Sequence, residues 1–192
     1  VYAALVHYPI LGRDGAIIAT AITNVDLHDI CRSGRTYGLR GVFFVTPVQA
    51  QLKLASSILD HWKAGDGKQR NTARSEAFSL SRTCATIEDA KAAVTSEQGQ
   101  APEVVVTSAQ FGGEAMSFPE YRQHVRAGGR PQLLLFGTGW GLVDETIAAA
   151  DIRLASVRSA PWAQGGKAPY NHLSVRSAVA IILDRVFGDL HG

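Results

Sequence analysis

Three segments of the 192-residue sequence concentrate groups able to do chemistry. The first runs from Asn24 to Gly38 (NVDLHDICRSGRTYG). On a helix, side chains three or four apart share a face, so Asp29 lies beside Arg32, His28 beside Arg32, and Arg32 beside Arg35. That pattern reads either as a solvated, capped helix with an Asp29–Arg32 pair or as an arginine cluster facing a phosphate or another substrate. The second segment is Gly137-Thr138-Gly139-Trp140-Gly141, placed directly after the apolar run Gln132–Phe136. Three glycines in five residues leave backbone groups open to close approach. Such a loop can cradle a phosphate or the edge of a nucleotide, and turn glycines are the equal alternative. It is neither a Walker loop nor G-x-G-x-x-G. The third segment is Tyr170-Asn171-His172-Leu173-Ser174-Val175-Arg176-Ser177, where a polar loop enters an apolar helix. Asn171 or His172 can cap that helix, and its free N–H groups suit an anionic or polar ligand. The sequence holds no clustered metal-ligand set and no Ser/His/Asp nucleophile set, so no metal is expected.

The elements that must position these segments alternate between strand-like and helical patterns. Tyr2–His7, Gly41–Thr46, Val104–Thr107, Gln132–Phe136 and Ile152–Val157 read as strands, with a further one possible over Phe78–Cys84. Helical periodicity covers 48–64, 87–96, 142–150 and 173–187. Ser117 followed by Glu120 is a capping box for a helix to about Arg126, ended by Gly128-Gly129. Arg13-Asp14-Gly15 reads as a turn. Residues 65–75 and 159–169 read as loops. The alternation predicts one α/β domain over 1–192: a Rossmann-like, largely parallel sheet with helices on both faces.

Composition narrows the class. With 46% hydrophobic and 19% charged residues, the chain can bury a sizeable core and is neither disordered nor fibrous. No apolar run reaches the roughly 18–20 residues of a membrane span. Two cysteines, Cys31 and Cys84, make no disulfide framework and read as reduced thiols of a cytoplasmic protein. Net charge is +2, unevenly placed: residues 1–82 carry +4 and residues 83–192 carry −2. A mildly basic N-terminal half is compatible with an RNA-facing surface. The sequence begins at Val1, and the expectation is a processed chain or one domain of a longer polypeptide.

In this order the three segments resemble the motifs of the SPOUT (SpoU–TrmD) RNA methyltransferases. Asp26-Leu27-His28-Asp29-Ile30-Cys31-Arg32, running on to Gly38, resembles N-x-x-A-I-x-R-x-x-x-x-x-G. Leu133–Leu142 resembles the second motif and Tyr170–Ala178 the third, S-L-N-V-S-V-A. The strings HYP, TAITNVDLHDICRSGRTYG, LLLFGTGWGL and YNHLSVRSA are similar to a small bacterial SPOUT subfamily. Some of its members are fused behind a tRNA (guanine-N1)-methyltransferase. Three departures stand out: Asp26 replaces the first motif's Asn, Thr138 stands where the second motif usually has Glu, and the third motif's Asn is Asn171, one place early, or replaced by His172.

The resemblance implies a C-terminal deep trefoil knot that binds S-adenosylmethionine, and a cytoplasmic homodimer acting on tRNA or rRNA without membrane or metal. The knot walls would be Thr107 and Ser108, the loop Gly137, Thr138, Gly139, Gly141 and Leu142, the neighbourhood of Val157, and Tyr170, Asn171, His172, Leu173 and Ser174. Arg32 takes the place of the SpoU catalytic arginine, orienting a phosphate or 2′-hydroxyl and assisting its deprotonation. Because a guanidinium stays protonated, an electrostatic role is favoured over a true base. Asp29 or His28 would take the proton from a base nitrogen, and Arg13 and Arg35 would contact phosphates. The activity implied is tRNA guanine-N1-type or 2′-O-ribose methylation. The alternative is a knotted, dimeric RNA-binding module attached to a catalytic partner, with little activity of its own.

Overall fold

The computed structural model describes residues 1–64, 66–111, 114–164 and 170–189. In chain order the strands are β1 (Tyr2–Val6), β2 (Ile10–Leu11), β3 (Ile17–Ile18), β4 (Gly41–Val45), β5 (Ser81–Cys84), β6 (Glu103–Thr107), β7 (Gln132–Gly137) and β8 (Ile152–Leu154). The helices are α1 (Asn24–Thr36), α2 (Gln49–Lys63), α3 (Asp66–Arg70), α4 (Thr72–Ser79), α5 (Ile87–Gln98), α6 (Phe118–Ala127), α7 (Asp144–Ala148) and α8 (Val175–Phe187). Six strands form one sheet in the order β5-β4-β1-β7-β6-β8, and every neighbouring pair is parallel. β2 and β3 make a separate antiparallel hairpin between β1 and α1. Its turn is the expected Arg13-Asp14-Gly15, with Gly15 at φ +80° and the Asp14 carboxylate accepting the Ala16 N–H at 3.1 Å.

The central strands are buried on both faces, which is why they read as continuous apolar runs. Alternate side chains serve opposite layers. Ala3, Leu5, Phe44, Val105, Leu134 and Phe136 pack under α1, α2, α4, α6 and α8 through residues such as Leu27, Leu59, Phe78, Tyr121 and Leu183. Tyr2, Ala4, Val6, Phe43, Val106 and Leu135 pack on the other side with Ala90 and Val94 of α5. Each Val, Leu or Phe among them contributes about 1.5–3 kcal/mol by leaving water.

Several boundaries differ from the sequence expectation. Residues 65–75 are not all loop, because α3 and α4 lie there. Good helix formers (Lys, Gln, Arg, Ala, Glu) outweigh the polar, turn-like composition, and the Asn71 side chain caps α4 by accepting the Arg74 N–H at 2.9 Å. Phe78 therefore sits in a helix, and its strand starts at Ser81. The helix expected from Leu142 starts at Asp144, since Leu142 and Val143 are buried. The strand expected to Val157 stops at Leu154. The Ser117–Glu120 capping box is present as expected. Cys31 is buried and Cys84 half-buried, both unpaired, and burial pushes each thiol up to about 12. No described helix is long and apolar enough to cross a membrane.

Candidate functional site

In an open parallel sheet, ligands bind beyond the carboxyl ends of the strands. β6, β7 and β8 run out together at that end, with Thr107 opposite Leu154. The Thr107 hydroxyl donates to the Leu135 carbonyl at 2.9 Å, fixing the end of β6 to β7. The loops beyond are tied to one another. Asn171 Nδ2 donates to the Ala109 carbonyl at 2.9 Å. Ser156 Oγ and the Arg158 guanidinium donate to the Phe111 carbonyl at 3.0 and 3.3 Å. The structure thus brings together Thr107, the segment around Val157, and Asn171. Tyr170, His172 and Leu173 are exposed beside them, with the rings of Tyr170 and His172 edge-on at 5.1 Å.

Neither Asn171 nor His172 caps the last helix. Ser174 does, accepting the Ser177 N–H at 3.2 Å. That frees the side chain of Asn171 to join two loops instead.

The glycine loop is closed on its own chain. The Thr138 N–H donates to the Val6 carbonyl at 3.2 Å, Trp140 N–H to Leu11 at 3.0 Å, and Gly141 N–H to Thr138 at 3.0 Å. Leu11 N–H in turn donates to Gly141 at 2.9 Å. Gly139 adopts φ +57°, and a Cβ there would lie 2.8 Å from Ile10 Cδ1 and 3.1 Å from the Leu11 carbonyl oxygen. The close approach that Gly139 permits is therefore to the β2–β3 hairpin. The N–H groups of Thr138, Trp140 and Gly141 already have acceptors within the chain.

The Thr138 side chain is engaged within the chain. Its hydroxyl donates to the Val6 carbonyl at 3.0 Å and lies 2.5 Å from the Thr20 hydroxyl. Leu142 is buried in the core beneath the loop, so its side chain packs there.

Thr20 continues inward to the buried His7, whose Nδ1 is 2.9 Å from Thr20 Oγ1. Proton counting fixes the tautomer. Thr138 donates to Val6, so Thr20 donates to Thr138 and the imidazole Nδ1–H donates to Thr20. His7 Nε2 then carries a lone pair, and it has no hydrogen-bond partner among the described residues. Burial holds this imidazole neutral, down to about 4, against a smaller opposing pull from Asp26.

Helix α1 presents the arginine segment. Thr23 caps it in a box with Asp26. Asp26 is buried and receives Arg176 of α8, with Nη1 to Oδ1 at 2.8 Å. The same guanidinium reaches Asp29, with Nε to Oδ2 at 3.5 Å. The expected Asp29–Arg32 pair is thus replaced by Asp29–Arg176, and the first and third segments are joined by one arginine. Among the described residues no hydrogen bond or ion pair engages Arg32. It lines a cleft of about 600 Å³ with Asp29, Ser33, Tyr37, Ser174 and Ser177.

His28 does not share that cleft. Its ring packs edge-on against Phe78 at 4.8 Å and Trp62 at 5.5 Å. Burial first, then Arg74, lowers its proton affinity. Arg35 is paired with Glu76 of α4 on an exposed surface. Arg13 is exposed at the hairpin turn.

Sequence reasoning missed Arg176, His7 and Thr20. The third motif gave no sign that Arg176 faces Asp26, and no spacing rule links His7 to Thr138. Among the described residues no cluster of three metal-ligating side chains occurs.

Comparison with known proteins places the chain in a family. The profile of a family described as SAM-dependent RNA methyltransferase matches residues 1–188. A tRNA (guanine-N(1)-)-methyltransferase of Oleidesulfovibrio alaskensis is 40% identical over 188 residues, 98% of this chain and 42% of the relative. One of Nitratidesulfovibrio vulgaris is 42% identical over 192 residues, 99% of this chain and 42% of the relative. The chain thus spans less than half the length of either. The SpoU methyltransferase AviRb of Streptomyces viridochromogenes, solved in complex with AdoMet, shares the fold at TM-score 0.54 and 16% identity, over 97% of this chain and 56% of that one. With the family profile matched over residues 1–188, the chain belongs to the SAM-dependent RNA methyltransferase family.

Proposed function

We propose that the protein transfers a methyl group from S-adenosylmethionine to RNA, and that its target is a tRNA guanine N1. The observation that carries this reading is a cleft between α1 and α8 lined by Arg32, which no described residue engages by hydrogen bond or ion pair, and by the paired Asp29 and Arg176, in a chain that matches the family over residues 1–188. The two relatives named tRNA (guanine-N(1)-)-methyltransferase favour that target over the ribose. The non-catalytic module is left without support, since the family and both relatives are methyltransferases.

The strand-end loops suit the donor. Thr107–Phe111, Gly137–Leu142, Ala155–Arg158 and Tyr170–Ser174 offer hydroxyls, amides, rings and apolar groups, with no carboxylate among them. Thr107, Gly137, Gly139, Gly141, Leu142 (by its backbone), Val157, Tyr170, Asn171, His172, Leu173 and Ser174 are the residues to hold it. When bound, S-adenosylmethionine supplies an electrophilic methyl on a sulfonium, open to in-line displacement. The chain must then align the acceptor and take one proton. Alignment is the larger lever, worth up to about 7–11 kcal/mol. Arg32, always charged, holds an anionic group of the RNA. Asp29 accepts the proton of the base nitrogen. His28 is withdrawn from that role by its place between Trp62 and Phe78. The trefoil knot and the homodimer implied by the resemblance belong to the same reading.

Calorimetric titration with S-adenosylmethionine tests it first. Micromolar affinity, about −8 kcal/mol, with one site per chain is expected. Methyl transfer to tRNA and rRNA pools follows, with the modified atom read by mass spectrometry. Arg32→Ala is expected to abolish transfer and leave donor binding intact. A folded protein that binds no donor sinks the reading, and a fully active Arg32→Ala sinks the role of Arg32.

A further inference from the structure

The glycine loop, with the N–H groups of Thr138, Trp140 and Gly141 held within the chain, displays one large group outward. Trp140 lies between Gly139 and Gly141, at φ +57° and +109°, and its own N–H is fixed to Leu11. The indole is 59% exposed. Among the described residues it makes no ring or cation–π contact. Trp62, by comparison, is packed against His28, His61 and Phe78 and covered by Arg74. A bulky apolar ring held out on a pinned loop contributes little to folding, yet the pinning fixes the backbone from which it projects at the carboxyl ends of β1 and β7.

We propose that Trp140 is a stacking platform for a nucleobase. The inference rests on the methyl-transfer reading, because both molecules which that reading brings to this loop carry such a ring: the adenine of the donor and the bases of the RNA. An aromatic face suits either source, since every base has a π-face and stacking needs no matched hydrogen bonds. The ring adds to whatever backbone contacts the loop's glycines make.

The test compares wild type, Trp140→Ala and Trp140→Phe in two arms. One arm is calorimetric affinity for S-adenosylmethionine. The other is affinity for unfractionated bacterial tRNA at fixed salt. Loss of a base stack weakens binding by roughly 5- to 150-fold. Trp140→Ala is expected to lose that much in one arm, and Trp140→Phe to stay within about fivefold of wild type. Loss in the donor arm identifies adenine, and loss in the tRNA arm identifies an RNA base. Thermal melting of both variants should match wild type, as befits an exposed side chain. Unchanged affinities in both arms overturn the proposal. So does an equal loss in Trp140→Phe, which would show that a ring is not the feature recognised. Wild type that binds neither ligand overturns the methyl-transfer reading instead.

Discussion

Protonating His7 should unfold this protein by degrees, and the size of the effect follows from its surroundings. The imidazole is buried and its proton affinity is held down to about 4, against 6.5 for a free histidine. In the unfolded chain it takes a proton near pH 6.5, and in the folded chain only near pH 4. Between those values the unfolded state binds more protons, so stability falls as pH falls. The contribution is fully present above pH 6.5 and is lost on the way to pH 4. A gap of this size amounts to about 3 kcal/mol at pH 4 and about 2 kcal/mol at pH 5. Urea unfolding of wild type and His7→Asn between pH 7.5 and 4 isolates it. Asn keeps an N–H for Thr20 and has no proton to gain. Other groups with shifted proton affinity, such as His28 and Glu103, titrate in both proteins and cancel. Wild-type stability should fall more steeply than that of the variant by these amounts. Parallel curves between pH 7.5 and 5 would refute the argument that burial holds His7 neutral.

Three other perturbations have definite outcomes. Gly139→Ala forces a side chain into a left-handed backbone and against Ile10 and Leu11; a loss of about 1–3 kcal/mol, or about 2–12 °C in melting temperature, is expected by calorimetry. Arg176→Ala leaves the buried Asp26 without its ion-pair partner; because Arg176 is itself partly exposed, a loss of about 1–3 kcal/mol in urea unfolding is expected, at or below the range for a fully buried pair. Arg35→Ala removes an exposed pair with Glu76, so stability should change by less than about 1 kcal/mol. The slope of tRNA affinity against salt should stay unchanged in that variant, whereas a phosphate contact would lower it by about one.

Strand positions were legible because burial on both faces leaves continuous runs such as Val104–Val106 and Leu133–Phe136. The capping box at Ser117 and Glu120 announced α6. Helices α3 and α4 were not legible, because their stability comes from a side-chain cap at Asn71 and from Phe78 packing on other elements, neither of which shows as periodicity. The same division holds at the site. The family resemblance, not periodicity or spacing, grouped Thr107, the Val157 neighbourhood and Asn171. It did not tell which donors the glycine loop keeps for itself, since that depends on Leu11, more than 120 residues away in sequence. The neighbours of Arg35 and His28 were hidden for a related reason: Glu76 and Phe78 lie on a helix the sequence did not reveal.

The strand order also bears on how the chain is made. Tyr2 pairs with Gly41 on one side and with Leu133 on the other. At about 5–20 residues per second, β1 leaves the ribosome roughly 7–26 s before the strand that closes its second edge. Through that interval an apolar ribbon has an open row of amides and carbonyls, the kind of edge that recruits foreign strands. The central slot of the sheet is filled late. Release of the chain before β7 would leave the edge open, so shortened products ending before Gln132 should partition into aggregates or onto chaperones.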